Sequence, residues 1–304
     1  MHLYLPIAGL SVNWLVIIGL GGVVGVLSGM FGVGGGFLTT PLLIFYGIPP
    51  AVAVASSSTQ ITGTSVSGML AHRRRNGVDF RMGGVLVAGG SLGALAGSWA
   101  FRLLQATGQF DTVVSILYVL LLGGIGTLMT RDAIASIAVL RGKRPAHSEP
   151  RRHLPLIAAL PMRWRFYSSG LYISPIAPML LGFVVGLLTV LMGIGGGFIL
   201  VPAMIYMLGM SARVVVGTSL FQTLFVTAAT TLVHATTTKS VDIVLAVLLL
   251  IGSVTGAQIG AWAAQRVKPD YLRLFLALLV LGVALRMALG LGWQPDEIYT
   301  VQPL

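Results

Sequence analysis

The sequence predicts an all-α integral membrane protein made of two inverted structural repeats, with about eight full transmembrane helices and two short half-helices after Gly-rich breaks. Three observations carry that expectation. Of 304 residues, 56% are apolar and only 9% are charged, where a soluble domain has about 25% charged residues. Mean hydropathy is +0.92, and the apolar stretches match the ~20 helical residues that cross a ~30 Å hydrocarbon core. The second observation is an internal repeat at an offset of 161, in which ten of the twenty residues from 22 to 41 are identical to their counterparts. The third is that each repeat carries a Gly-rich break followed by an apolar segment too short to span.

Taken in order, the first unit (14–130) opens with a span at 14–31. The run from Trp14 lacks a basic leader and a small-residue cleavage site, so it reads as a true span and not a signal peptide. Gly32-Val33-Gly34-Gly35-Gly36-Phe37 then breaks the chain. A short helix at 37–46 follows, which at 1.5 Å per residue reaches about half-way across the core. A polar-studded span at 51–71 and two further spans at 83–104 and 111–130 complete the unit.

Residues 131–175 read as a basic cytoplasmic linker. It runs through Arg141-Gly142-Lys143-Arg144-Pro145 and Arg151-Arg152, and the alternation of aromatic and polar residues after Arg163 suggests a small hairpin at headgroup level. The second unit (176–291) repeats the order: a span at 178–192, the break Gly193-Ile194-Gly195-Gly196-Gly197-Phe198, a short helix at 198–208, and spans at 213–234, 242–264 and 271–291. Matches extend to Gln60 with Gln222, His72 with His234, Val78-Asp79 with Val241-Asp242, and Gly93, Gly97, Trp99 with Gly256, Gly260, Trp262.

Basic residues choose between two topologies, because cytoplasmic loops are enriched in Lys and Arg. If the short helices do not change sides, the 19 Lys and Arg divide 14 to 5; if they do, the division is 16 to 3. The second arrangement gives each unit five passages, which inverts the two units relative to each other, as in many secondary transporters.

With no cysteine, the chain has no thiolate zinc site, iron–sulfur cluster or disulfide. All eight acids fall at predicted span ends or in loops, so a hard-cation cage is not expected. No metal or other cofactor is expected. What the spans do hold is a hydroxyl and amide stripe. Ser56, Ser57, Ser58, Thr59, Gln60, Thr62, Thr64, Ser65 and Ser67 lie on one span; Thr218, Ser219, Gln222, Thr223, Thr227, Thr230 and Thr231 lie on its counterpart.

Such groups donate hydrogen bonds without carrying charge, and a primary amide in hydrocarbon is costly unless something polar faces it. Gly34-Gly35-Gly36 and Gly195-Gly196-Gly197 place helix N-termini at membrane depth, where backbone N–H groups and the positive dipole end favour anions. The candidate substrate-binding residues are therefore Gly34, Gly35, Gly36, Ser57, Gln60, Gly195, Gly196, Gly197, Thr218, Ser219 and Gln222. His72 and His234 are the proton-coupling candidates, since imidazole titrates nearest neutrality. No catalytic residue is expected: HExxH, GxSxG with partners and Walker A are all missing from the sequence.

The combination of Gly32-Val33-Gly34-Gly35-Gly36-Phe37…Pro41, Gly47-Ile48-Pro49-Pro50 through Ser56-Ser57-Ser58, and Ala71-His72-Arg73-Arg74-Arg75-Asn76-Gly77-Val78-Asp79 resembles the sulfite exporter TauE/SafE family. The second unit, with Val216-Gly217-Thr218-Ser219-Leu220-Phe221-Gln222 and His234, carries a similar pattern, and the likeness covers roughly residues 14–290. It differs at Ser56-Ser57, where the second unit has Gly217-Thr218, the more usual family form. The resemblance implies a multi-pass permease of the inner (plasma) membrane, associated with sulfite, sulfonates or other small organic anions.

The expected function is secondary transport of a small anion by alternating access. The alternatives are an anion channel and a non-transporting membrane docking partner. The expected partners are the small anionic substrate and the lipid bilayer, with no nucleic acid; association with further copies of the chain is left open.

Overall fold

The computed structural model describes residues 2–31, 35–73, 77–140, 164–264, 266 and 269–292. Gly34, the arginines at 74 and 75, and the linker residues 141–152 lie outside them. Among the described residues there are two small antiparallel hairpins and ten α-helices. The hairpin β1 (His2–Leu5) with β2 (Leu10–Asn13) precedes α1 (Trp14–Phe31), α2 (Gly36–Phe45), α3 (Pro50–Arg73), α4 (Phe80–Ala106) and α5 (Phe110–Leu140). The hairpin β3 (Trp164–Phe166) with β4 (Leu171–Ile173) precedes α6 (Ile176–Met192), α7 (Gly197–Tyr206), α8 (Ala212–Val233), a π turn (His234–Thr238), α9 (Ile243–Ala264) and α10 (Pro269–Gly292).

Among the described residues, five helices, α4, α5, α8 with the π turn, α9 and α10, are long and apolar enough to cross a membrane, and α1, α2, α6 and α7 are shorter apolar helices. The chain is an all-α membrane protein with two small hairpins. The sequence anticipates only the second hairpin; the first, His2–Leu5 with Leu10–Asn13, carries no aromatic–polar alternation to announce it. α5 also continues past position 130, where the sequence places its end. Thr130 Oγ1 bonds back to Gly126 O, and Asp132 in the added turns accepts from the Tyr206 hydroxyl.

Glycine sets the main helix pairings. α1 runs parallel to α9: a Cβ on Gly21, Gly25 or Gly29 would meet the backbone of Leu249, Ser253 or Ala257 at 2.6, 2.3 and 2.1 Å. α4 runs parallel to α6 in the same way, with Gly89 and Gly93 against Met179 and Phe183 at 2.0 and 1.9 Å. Lipid supplies no hydrophobic drive between helices, so close backbone approach through small residues supplies the packing instead. α3 crosses α8 antiparallel, joined by Thr59 to Thr231 at 3.3 Å and Thr62 to Thr227 at 2.8 Å.

Two apolar clusters mark the ends of the bundle. Leu5, Val12, Ile17, Leu43, Ile48 and Val52 join the first hairpin to the start of α1, the end of α2 and the start of α3. Phe166, Leu171, Met204, Leu208 and Val215 join the second hairpin to the end of α7 and the start of α8. Because α3 starts in one cluster, α8 starts in the other and the two helices are antiparallel, the clusters lie at opposite ends.

Two aspartates clasp these ends. Asp79 caps α4 by accepting from the N–H groups of Arg81 and Met82 and also takes the Ser169 N–H at 3.1 Å, while its own N–H donates to Thr218 Oγ1. Asp242 accepts from the N–H of Leu245 and of Ile7, and its N–H donates to Ser56 Oγ. The sequence places both acids at span ends, which is correct along the chain. Both are nevertheless buried, because each carboxylate fills its hydrogen-bond sites with backbone donors from two elements.

Candidate functional site

The short helices α2 and α7 begin beside each other in the middle of the bundle. Phe37 and Phe198, second in each helix, are stacked with centroids 4.4 Å apart and planes 11° from parallel. A Cβ on Gly36 would fall 2.7 Å from the Ile194 carbonyl, so the first turn of α2 sits on the backbone of the second break. That break turns through Gly193, Gly195 and Gly196 at φ +68°, +73° and +80°, left-handed conformations open chiefly to glycine. Gly35 differs: its φ is −45°. The demand for glycine there is steric, since an added Cβ would lie 2.5 Å from Val24 Cγ1, and the Gly35 N–H donates to Ser28 Oγ at 2.8 Å. The Tyr118 hydroxyl of α5 braces the end of α6 by donating to the Met192 carbonyl.

α3 and α8 flank these breaks with the polar stripe. Thr218 and Ser219 spend their hydroxyls on their own helix, donating to Val214 O and Val216 O, and Thr218 also receives the Asp79 N–H. Ser58 donates to Val54 O. A second group behaves differently. Ser57 Oγ, Gln60 Oε1, Ser65 Oγ, Thr223 Oγ1 and both amide atoms of Gln222 are buried without a hydrogen-bond partner. Gln222 is wedged beside both α4 and the second break: a Cβ on Gly90 would come 3.0 Å from its Nε2, and one on Gly196 3.5 Å from its Oε1. Gly195 faces Ile61 of α3 and Thr223 of α8.

Gly36, Gly195, Gly196, Gln222 and Thr223 thus converge on the junction of the two short helices. Ser65 and Thr223 belong to the stripe read from the sequence, but spacing alone does not separate them from hydroxyls that bond their own helix. Buried polar groups are nearly always paired in folded proteins, and each one left unpaired costs about 1–3 kcal/mol. Two of the residues that carry such atoms, Gln222 and Thr223, stand beside Gly196 and Gly195 at the start of α7. Among the described residues, no Lys, Arg, Asp or Glu joins this group; the buried Asp79 and Asp242 cap α4 and α9 at the bundle ends.

The matched histidines differ. His72 is half-buried near the end of α3, with Nδ1 3.0 Å from Gly68 O. His234 is fully buried against Phe101, with Nε2 3.2 Å from the Val190 carbonyl and Nδ1 3.2 Å from Thr238 Oγ1. A carbonyl only accepts, so Nε2 carries a proton.

The family model described as "Sulfite exporter TauE/SafE" matches residues 17–287. The chain belongs to the TauE/SafE family. A "Probable membrane transporter protein YjnA" of Bacillus subtilis (strain 168) is 30% identical over 271 residues, covering 89% of this chain and 98% of that protein. A "Probable membrane transporter protein" of Xylella fastidiosa (strain 9a5c) is 29% identical over 276 residues, with 89% and 93% covered. No solved structure matches the chain significantly. TauE/SafE membership makes the chain a multi-pass protein of a membrane-transporter family.

Proposed function

We propose that the chain is a secondary permease for a small anion, in the sulfite, sulfonate or related organic-anion class, working in the inner membrane by alternating access. The observation that carries this reading is the set of unpaired buried polar atoms on Ser57, Gln60 and Ser65 of α3 and on Gln222 and Thr223 of α8, the last two beside the break that starts α7. Of these atoms, the Ser57, Ser65 and Thr223 hydroxyls and Gln222 Nε2 can donate to an anion without holding it by charge, and the positive dipole ends of two short helices supply the sign preference. The candidate site extends over Gly34, Gly35, Gly36, Ser57, Gln60, Gly195, Gly196, Gly197, Thr218, Ser219 and Gln222, with His72 and His234 as proton-coupling residues. No cofactor and no catalysis enter this reading.

Alternating access requires two halves that rock about the site, and we read residues 14–130 and 176–291 as inverted repeats with eight full passages and two half-helices. Supporting this are the reciprocal pairings of α1 with α9 and α4 with α6, the equivalent aspartate clasps, and the return of α2 and α7 toward the ends from which their own units start. The 16 to 3 division of basic residues assigns the linker end to the cytoplasm.

The test is transport by the purified chain in proteoliposomes, loaded in turn with sulfite, thiosulfate, taurine, sulfoacetate and small carboxylates. Saturable flux with counterflow of one of these anions is expected. Flux that never saturates and shows no counterflow identifies a channel, and no flux of any anion removes the reading.

A further inference from the structure

Away from the bundle centre, an open cleft of about 400 Å³ lies between the start of α4 and strand β3, lined by Arg81, Trp164, Arg165, Phe166 and Tyr167. Phe166 is buried and anchors the strand in the end cluster, while Trp164, Arg165, Tyr167 and Arg81 are exposed. The Arg81 guanidinium lies over the Tyr167 ring, 5.4 Å from its centroid. Arg165 pairs across the hairpin with Tyr172, also exposed. Among the described residues, neither arginine has a carboxylate partner. Asp79, two residues from Arg81, already accepts from the N–H groups of Arg81, Met82 and Ser169 and from the Ser169 hydroxyl.

The fold does not need these charges. The first hairpin has the same form, with its turn glycine Gly9 at φ +67° against Gly170 at +66°. At the repeat offset, Leu3 and Tyr4 stand where the second hairpin has Trp164 and Arg165, and Val244 follows Asp242 as Arg81 follows Asp79. The two cations therefore stand at one end only, together with exposed Trp164 and Tyr167, where the other end has Leu3, Tyr4, Pro6 and Val244 at the matching positions.

We propose that this cleft binds a phosphate group at the membrane surface, held by the guanidinium groups of Arg81 and Arg165, with Trp164 and Tyr167 packing on the rest of the ligand. A guanidinium fork matches phosphate oxygens in pairs. Trp and Tyr rings settle at headgroup level, where anionic lipids present phosphate. A phosphate on a lipid and a phosphate free in solution share this chemistry, and the experiment separates them.

The full chain is reconstituted in nanodiscs of phosphatidylcholine with phosphatidylglycerol, and lipid retained on release is read by native mass spectrometry. The wild type keeps phosphatidylglycerol, and R81Q/R165Q loses it by about tenfold or more, the worth of one charge-assisted hydrogen bond. R102Q, at an exposed arginine near the far end of α4, keeps it. In nanodiscs of phosphatidylcholine alone, inorganic phosphate is titrated against Trp164 fluorescence, with W164F identifying the signal. Saturable quenching there, lost in R81Q/R165Q, assigns the site to soluble phosphate, and retention of phosphatidylglycerol unaffected by phosphate assigns it to lipid. The single variants R81Q and R165Q give the same readouts should the pair fail to fold. Retention and quenching equal to those of R102Q overturn the proposal and leave the arginines as topology anchors.

Discussion

Replacing Gln222 by Leu separates a ligand-binding amide from a packing one, because the two roles predict opposite signs. Gln222 is fully buried, and neither Oε1 nor Nε2 has a partner. The amide is held close to Gly90 and Gly196, and Leu has nearly the same volume, so Gln222→Leu fills the same wedge without a polar group. Removing unsatisfied buried atoms is expected to stabilise the unliganded protein by about 1–3 kcal/mol. The same change takes a partner from the anion and is expected to weaken its binding by about 1–3 kcal/mol, or about 5- to 150-fold. Thermal unfolding of the purified protein gives the first quantity, and concentration-dependent uptake into proteoliposomes gives the second. A variant less stable than the wild type with unchanged uptake would return Gln222 to helix packing.

Three further outcomes are expected. Gly196→Val should abolish transport, since it adds left-handed strain of about 1–2 kcal/mol to a clash 2.5 Å from Val185 Cγ1. Gly35→Val, facing the clash alone, should be severe, and Gly282→Val, where nothing lies within 4 Å, should be mild; transport per folded molecule decides, and equal activity in all three makes the breaks mere kinks. Single cysteines introduced into the cysteine-free chain at Arg266 and Lys239 should label from opposite sides of the membrane, and equal labelling from outside rejects the inverted arrangement. Asp79→Ala and Asp242→Ala should each lower stability by about 1–3 kcal/mol, the cost of stranding buried N–H donors, as read by thermal unfolding. A loss confined to one of them would break the equivalence of the two clasps.

The solvent, the internal repeat and most of the helices are legible in the sequence; the first hairpin and the last turns of α5 are not. A low charge fraction and apolar runs of bilayer length leave few alternatives for the fold class. The matched Gly93, Gly97, Gly256 and Gly260 are interface glycines for a reason the repeat already implies, because only small residues let backbones approach so closely in lipid. The two Gly-rich breaks were also legible, since a ten-residue apolar helix after three glycines cannot span.

Which polar groups are bonded and which are unpaired follows from the packing of α3, α4 and α8 and not from spacing along the chain. Thr218 and Gln222 look alike in a stripe at helical spacing, yet Thr218 joins the Asp79 clasp while Gln222 has no partner. Likewise, the matched Gly35 and Gly196 differ in why they require glycine: both would clash with a valine, but only Gly196 also has a left-handed backbone. Hydrogen-bond satisfaction and backbone angle depend on neighbours from distant parts of the chain, and local sequence spacing carries no record of who those neighbours are.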